Sequence, residues 1–397
     1  MILSLAINPL IALNMTPEDY AITGYYTSFS TLFSPLVLFY MLHFYTKRFF
    51  EVDEYGRELL RGMLVKSLVC FSGLLAIVCL MGLYIYQTCF NNDSSMQFFP
   101  YAVLAILTLP LTGVYNLMLC DMRMLRESGR YMKISVISGV ILSISTLLFV
   151  VLIKGGAFGK LLAPFISNIV LFVLGCSYYK KYFFISFDWQ QFKNMLSFCF
   201  PLTIAAMLTF FSNGYDRVLL ERLGDTNELG YYSVGLMMAS YISVFQNAIG
   251  NTFQPDLFQS IVQKDKEKLM RVVALLIGST GLIVLVYVIA APLIVKILTA
   301  GRYMLSVKYT QIISLSILTS AMYYAVSQIT IALGKTKVTL FTKILTTVLC
   351  IAMFSYLITN YQYVGAAWGV VVSFIISLLV NLTLIWISNI ISEKKCH

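Results

Sequence analysis

Charge is scarce in this chain and histidine is nearly absent. Asp, Glu, Lys and Arg make up 12% of its 397 residues, about half the share found in soluble domains, too little to clothe a large water-facing surface. The two histidines, His43 and His397, stand beside no nucleophile pattern. The eight cysteines show no paired C-x-x-C spacing and lie mostly in apolar runs, which argues against metal and disulfide sites. A glycine-rich loop ending in Lys and Ser or Thr is missing too, so ATP hydrolysis has no cradle. Neither an acidic nor a basic tail is present.

What fills the chain is apolar: 59% of residues are hydrophobic and mean hydropathy is +0.82. Such a composition belongs to a polytopic membrane protein. The formal charge of +10 would point to nucleic acid in a soluble chain, but here its placement between apolar runs is what matters. Measured against the roughly 20 residues that cross a bilayer, twelve runs are expected to be helices: 1–14, 22–46, 62–88, 98–120, 134–153, 161–179, 195–223, 230–254, 272–298, 311–333, 338–359 and 364–390. The first is short and lacks a basic n-region and a small-residue cleavage site, so it reads as the tail of a shortened span, not a signal peptide.

Alternate connections differ sharply in Lys and Arg. One set, including Lys47, Arg48, Arg57 and Arg61, Arg123 to Lys133, Lys180, Lys181, Lys193, Lys264 to Arg271, Lys335, Lys337, Lys394 and Lys395, holds nineteen; the other, including Lys154, Lys160 and Lys308, holds seven. The first set is therefore expected in the cytoplasm, with both termini. The external connections are all short, about fifteen residues or fewer. A membrane polysaccharide polymerase or transferase, which builds its active site from an external segment, has little room.

An internal repeat appears on a shift of about half the chain. Glu18-Asp19-Tyr20 opens the second run as Glu228-Leu229-Gly230-Tyr231 opens the eighth. The basic segment 126–133 precedes a run, a link ending in Gly159 and another run, as 333–338 precedes a run, a link reaching Gly365 and the last run. Six spans per half is an even number, so the halves form a parallel repeat: lobes 1–188 and 189–397. The expected fold is an all-α two-lobed transporter.

Within this frame, residues 200–258, containing SNGYDRVLLERLGDTNELGYYSV, resemble the start of the second lobe in the Wzx-type polysaccharide flippases of the multidrug/oligosaccharidyl-lipid/polysaccharide exporter superfamily. The matching features are Pro201 early in the span, the Asp216-Arg217 pair, a small loop and Gly230-Tyr231-Tyr232-Ser233-Val234. Thr16 to Tyr20 and Arg126 to Tyr131 also match; the chain departs from the pattern at Ala21, where Gly is more usual, and in its short first span. The resemblance implies movement of an undecaprenyl-pyrophosphate-linked oligosaccharide from the inner to the outer leaflet of the bacterial inner membrane. Lipid-linked oligosaccharide, membrane lipids and other polysaccharide assembly proteins are then the partners, and nucleic acid is not. No cofactor is expected; any energy source is a sodium or proton gradient, or the substrate gradient itself.

Such a head group needs a wet path lined by cations and hydrogen-bonding groups. Ser240, Ser243, Asn247, Asn251 and Gln254 are spaced 3, 4, 4 and 3, forming one helical stripe with Gln246 beside it. The stripe either lines a cavity or glues helices together, and five residues in register exceed what packing requires. Asn213, Asp216, Arg217 and Arg222 form the second group of candidates. A helix starting at Pro201 puts Asp216 about 22 Å in, at 1.5 Å per residue; one starting at Met195 carries the pair to the outer interface. Arg217 and Glu221 are also spaced to pair on one face, a structural alternative. Lys66 and Lys343, a turn inside their spans, complete the candidates, and snorkelling explains them equally well. Asn116, Asn168, Gln328 and Asn381 read as packing groups. A cation-coupled drug exporter of the same superfamily is the second reading, a polymerase or transferase the third.

Overall fold

The computed structural model describes residues 2–49, 51–90, 96–263, 265–332 and 336–394. Lys264, Lys335, Lys395 and His397, used above, lie outside the described residues. Among the described residues every regular element is helical, in two compact units, Met1–Phe210 and Phe211–His397.

The first unit runs through α1 (Ile2–Leu13), α2 (Pro17–Leu38), α3 (Met41–Arg48) and α4 (Glu54–Lys66). A π-helical turn, Ser67–Phe71, joins α4 to α5 (Ser72–Phe90), followed by α6 (Tyr101–Met124) and α7 (Ser128–Thr146) with its own π-helical end, Leu147–Leu152. α8 (Gly156–Tyr178) and α9 (Trp189–Leu208) complete the unit. The short α10 (Phe210–Asn213) stands at the boundary. The second unit contains α11 (Tyr215–Glu221), α12 (Thr226–Ser240), α13 (Ser243–Val262), α14 (Lys266–Leu298), α15 (Val307–Ala332) and α16 (Thr336–Lys394).

Every expected run has a helical counterpart, although fewer elements pass as spans. Eight described helices are long and apolar enough to cross a membrane. One of them, Val338–Ile387, contains both of the last two runs, divided at Gln362 (φ 49°, ψ −130°). The second run is a bent pair, α2 and α3 meeting at 44°. The eighth is interrupted at Tyr241–Ile242 between α12 and α13, and α1, at 12 residues, is about 18 Å long and too short to cross.

Helix starts follow from side-chain caps. Asp53, Asp188, Asp225 and Asp265 each accept a hydrogen bond from the backbone N–H three residues on, and Thr16 forms a full capping box with Asp19. The cap at Asp188 explains a shift in the seventh span. Its helix begins at Trp189, in polar sequence ahead of the apolar run, so Pro201 is an interior residue and not a first-turn residue. Packing follows the same shift: α9 lies against α2 and α3, with Lys47 Nζ 4.5 Å from the Phe198 ring and the Cys199 thiol 3.5 Å from the Tyr40 carbonyl. The first unit therefore extends past the expected lobe boundary at 188/189.

The bend in the second span rests on two adjacent left-handed residues, Phe39 (φ 47°) and Tyr40 (φ 51°). Neither is glycine, so each costs about 1–2 kcal/mol, which the buried cluster of Tyr45, Met63, Leu64, Leu117 and Tyr179 offsets.

Each unit ties the start of one early helix to the segment at a later chain reversal. A shift of 209 pairs Thr16 with Asp225, Asp19 with Glu228 and Gly156 with Gly365. In the first unit Asp19, at the start of α2, accepts from the Ala157 N–H at the start of α8 (2.7 Å). In the second, the Asp225 carbonyl at the start of α12 accepts from Tyr363 Oη, just beyond the break in α16 (2.8 Å). Near both reversals, at positions that the shift of 209 does not pair, a glycine passes a carbonyl too closely for a side chain: a Cβ on Gly159 would lie 2.4 Å from the Phe149 oxygen, and one on Gly365 2.1 Å from that of Leu357.

Candidate functional site

In the second unit Asp216 lies in the first turn of α11 and is only 2% exposed. Tyr232 of α12 donates its hydroxyl to Asp216 Oδ2 at 2.5 Å, while Oδ1 is buried with no hydrogen-bond partner. A buried carboxylate with one open oxygen keeps a strong acceptor at a large desolvation cost, an arrangement that marks functional positions in membranes. Half-buried Arg217 donates Nη2 to the Asn213 carbonyl at 3.3 Å, and Asn213 and Arg222 are exposed. Breaks at Thr209 and Gly214 separate α9, α10 and α11, so the pair occupies a short helix of its own.

The stripe on the eighth span divides into two kinds of group. Ser240 and Ser243 turn their hydroxyls back to the carbonyls of Met237 and Ser240 (2.6 and 2.5 Å). Gln246 and Gln254 reach α15: Gln246 Nε2 donates to Ser320 Oγ at 2.7 Å and Gln254 Nε2 to Gln328 Oε1 at 3.2 Å. These are interhelical ties, each worth about 0.6 kcal/mol. Asn247 and Asn251, one turn apart, are exposed. Beside them a cavity of about 40 Å³ is lined by Gln246, Asn247, Gly250, Asn251, Thr280 and Tyr324, among others. That volume holds about one water at its liquid share of about 30 Å³. Gln246 takes part in both, so cavity lining and helix glue coexist on α13.

The two lysines are already engaged. Lys66 donates to the Ile185 carbonyl, tying α4 to the connection before α9, and Lys181 pairs with Glu58 across the same junction (3.0 Å). Lys343 Nζ lies 5.4 Å from the centre of the Tyr323 ring, a cation–π contact between α16 and α15. Lys160, counted above with the loop residues, is instead a half-buried residue in the second turn of α8.

A network in the first unit was not anticipated. Asp121, 2% exposed near the end of α6, accepts from Arg61 Nη2 (2.7 Å), Arg61 Nε (3.2 Å), Tyr45 Oη and Tyr179 Oη (3.4 Å). It draws α3, α4, α6 and the end of α8 onto one carboxylate. The signal in the sequence was an Asp closing an apolar run, as at Asp216, but its cation lies 60 residues away on a helix that no local spacing links to it.

Among the described residues no group of three or more His, Cys, Asp or Glu side chains is placed to hold a metal.

Residues 63–308 match the family described as Polysaccharide biosynthesis protein, well over half of the chain. The chain belongs to that family. The chain is 28% identical over 222 residues to an "Uncharacterized membrane protein" of Haemophilus influenzae, an overlap of 52% of the chain and 53% of the relative. The chain thus spans about half the length of the curated relative it matches. Among solved structures it is similar to a multidrug resistance MATE family transporter of the MOP superfamily in its inward-facing conformation, with TM-score 0.72 at 14% identity over 98% of this chain and 96% of the other. It is also similar to the lipid II flippase MurJ in an inward closed conformation, with TM-score 0.69 at 14% identity over 97% and 85%. Likeness at that identity establishes the fold alone, the all-α fold that those two structures share. The resemblance read from residues 200–258 therefore holds at the level of family and fold.

Proposed function

We propose that this protein is a flippase that carries an undecaprenyl-pyrophosphate-linked oligosaccharide from the inner to the outer leaflet of the bacterial inner membrane by alternating access. The observation that carries the proposal is the exposed amide pair Asn247 and Asn251 beside a water-sized cavity, in a chain otherwise poor in polar surface. Amides offer both donors and acceptors and so suit sugar hydroxyls, and they bear no charge that would have to be desolvated as the head group passes.

In this reading Arg217 and Arg222 meet the pyrophosphate, for which a guanidinium fork is well shaped, and Lys343 adds a cation near the start of α16. Lys66 serves as a tie, because its ammonium is spent on a backbone carbonyl. A sodium or proton gradient acts through Asp216, whose Oδ1 is buried and open. Both termini face the cytoplasm, and other polysaccharide assembly proteins supply and consume the substrate.

The test is a strain whose surface polysaccharide depends on this protein. Asn247→Ala combined with Asn251→Ala should sharply reduce surface polysaccharide while leaving membrane levels of the protein unchanged. Unchanged polysaccharide would remove the amide pair from the path.

The open carboxylate oxygen of Asp216 also favours a second reading, a cation-coupled multidrug exporter. In that case deletion of the protein would raise drug sensitivity and leave surface polysaccharide intact.

A further inference from the structure

A second polar cavity, of about 440 Å³, lies in the second unit where the starts of α12 and α15 meet the break in α16. The volume falls within the range of about 300–1,000 Å³ typical of small-ligand pockets. By the Lys and Arg count its side is the external one.

The walls are fixed by bonds among themselves. Glu228 Oε1 accepts from Lys308 Nζ (2.6 Å) and from Tyr309 Oη, and Tyr363 Oη is held on the Asp225 carbonyl. Two features remain unspent. Tyr361 is 61% exposed, presenting a flat ring. Gln362 is exposed and holds φ 49°, ψ −130°, a conformation that costs a non-glycine residue energy and that clusters at functional positions. Glycine would relieve that strain, but only glutamine puts an amide at the rim.

We infer that this cavity is a glycan-binding vestibule that takes the sugar end of a lipid-linked or free saccharide and rejects its phosphate. A tyrosine face accepts the C–H side of a pyranose ring, while the Gln362 amide and the carboxylates of Asp225 and Glu228 match adjacent hydroxyls, which both donate and accept. Charge selects the class. Among the lining side chains Asp225 and Glu228 bring two negative charges and Lys308 one positive charge already paired with Glu228, so the lining is net negative; Arg222, which the transport reading gives to the pyrophosphate, precedes Leu223 and does not line the cavity. A neutral or amino-bearing sugar fits this field, and pyrophosphate is repelled. The rigid walls reduce the ordering cost of a weak polar ligand. The inference rests on the glycan-transport reading for why a saccharide reaches this face, but its test does not depend on transport.

The experiment is saturation-transfer NMR on the full-length protein in lipid nanodiscs. The probes are glucose, galactose, N-acetylglucosamine and glucosamine, with inorganic pyrophosphate as competitor. Tyr361→Ala and Gln362→Gly are compared with the unaltered protein, melting midpoints confirming that both variants are folded. The expected result is transfer to at least one sugar, unaffected by pyrophosphate and weakened about five- to tenfold by either variant, the scale of a lost aromatic contact. Absence of transfer to all four sugars, transfer unchanged in both variants, or displacement by pyrophosphate would overturn the inference. Translocation that persists alongside any of those results would leave the flippase reading intact. Tyr361-dependent binding without translocation would overturn only that reading.

Discussion

Replacing Asp121 with leucine removes the acceptor for four hydrogen bonds and strands the Arg61 guanidinium, whose side chain is 9% exposed. Breaking a buried ion pair from one side costs about 3–5 kcal/mol. Spread over a unit of this size, that lowers the melting midpoint by roughly 10 °C, at about 2–4 °C per kcal/mol. Adding Arg61→Met removes the stranded charge. The double variant should then recover most of the loss, retaining about 1–3 kcal/mol for the Tyr45 and Tyr179 hydroxyls left without their acceptor. A third change, Tyr45→Phe, should bring the midpoint closer still to that of the unaltered protein. The assay is scanning fluorimetry of the purified protein in one detergent at one scan rate, because unfolding of a large membrane protein is a rate as much as an equilibrium. A midpoint within about 2 °C of the unaltered protein for Asp121→Leu, far below the calculated loss, would refute the reasoning. So would a double variant less stable than the single one.

Other expectations follow from the same geometry. Gly235→Ala places a Cβ 2.6 Å from the Tyr309 Cβ and 3.2 Å from the Thr310 nitrogen where α12 crosses α15, an overpacking cost of about 1–3 kcal/mol. Gly278→Ala, with nothing within 4 Å of its Cβ, should be neutral or stabilise α14 by up to about 1 kcal/mol; equal melting shifts for the two would discredit the helix crossing. Tyr232→Phe takes the hydroxyl from Asp216 and should cost about 1.5–3 kcal/mol, the worth of a hydrogen bond to a charged group. A melting point unchanged in that variant would mean that the carboxylate does not depend on Tyr232.

The helices were legible in the sequence because a bilayer demands long apolar runs and leaves no alternative for the backbone. Their ends were less so. The seventh helix begins at Trp189 because Asp188 caps it; the apolar run starts six residues later, and a boundary drawn from hydropathy misses a polar first turn. Interruptions escaped for a related reason. Phe39 and Tyr40 are ordinary residues for a helix, and their left-handed backbone is imposed by tertiary packing that no local pattern encodes.

Polar groups divided by the range of their partners. Asp216 stood out as an anomaly of composition, and the stripe on the eighth span as one of spacing; both are local signals. What the local signals could not supply was which members face another helix. Gln246 and Gln254 find partners 74 residues away on α15, while Asn247 and Asn251 stay open. Lys66 likewise finds a carbonyl 119 residues on. The Arg61–Asp121 pair is the strongest case, since each residue alone reads as an end-of-span charge.

The central claim is that this chain moves a glycan head group across the membrane. The most direct measurement is reconstitution of the purified protein into sealed vesicles containing an undecaprenyl-pyrophosphate-linked oligosaccharide, with external accessibility of the sugar followed over time by a membrane-impermeant modifying reagent. The account predicts protein-dependent transfer that slows when Asn247 and Asn251 are both replaced by alanine. Accessibility no faster than in protein-free vesicles, with and without a sodium or proton gradient, would contradict it.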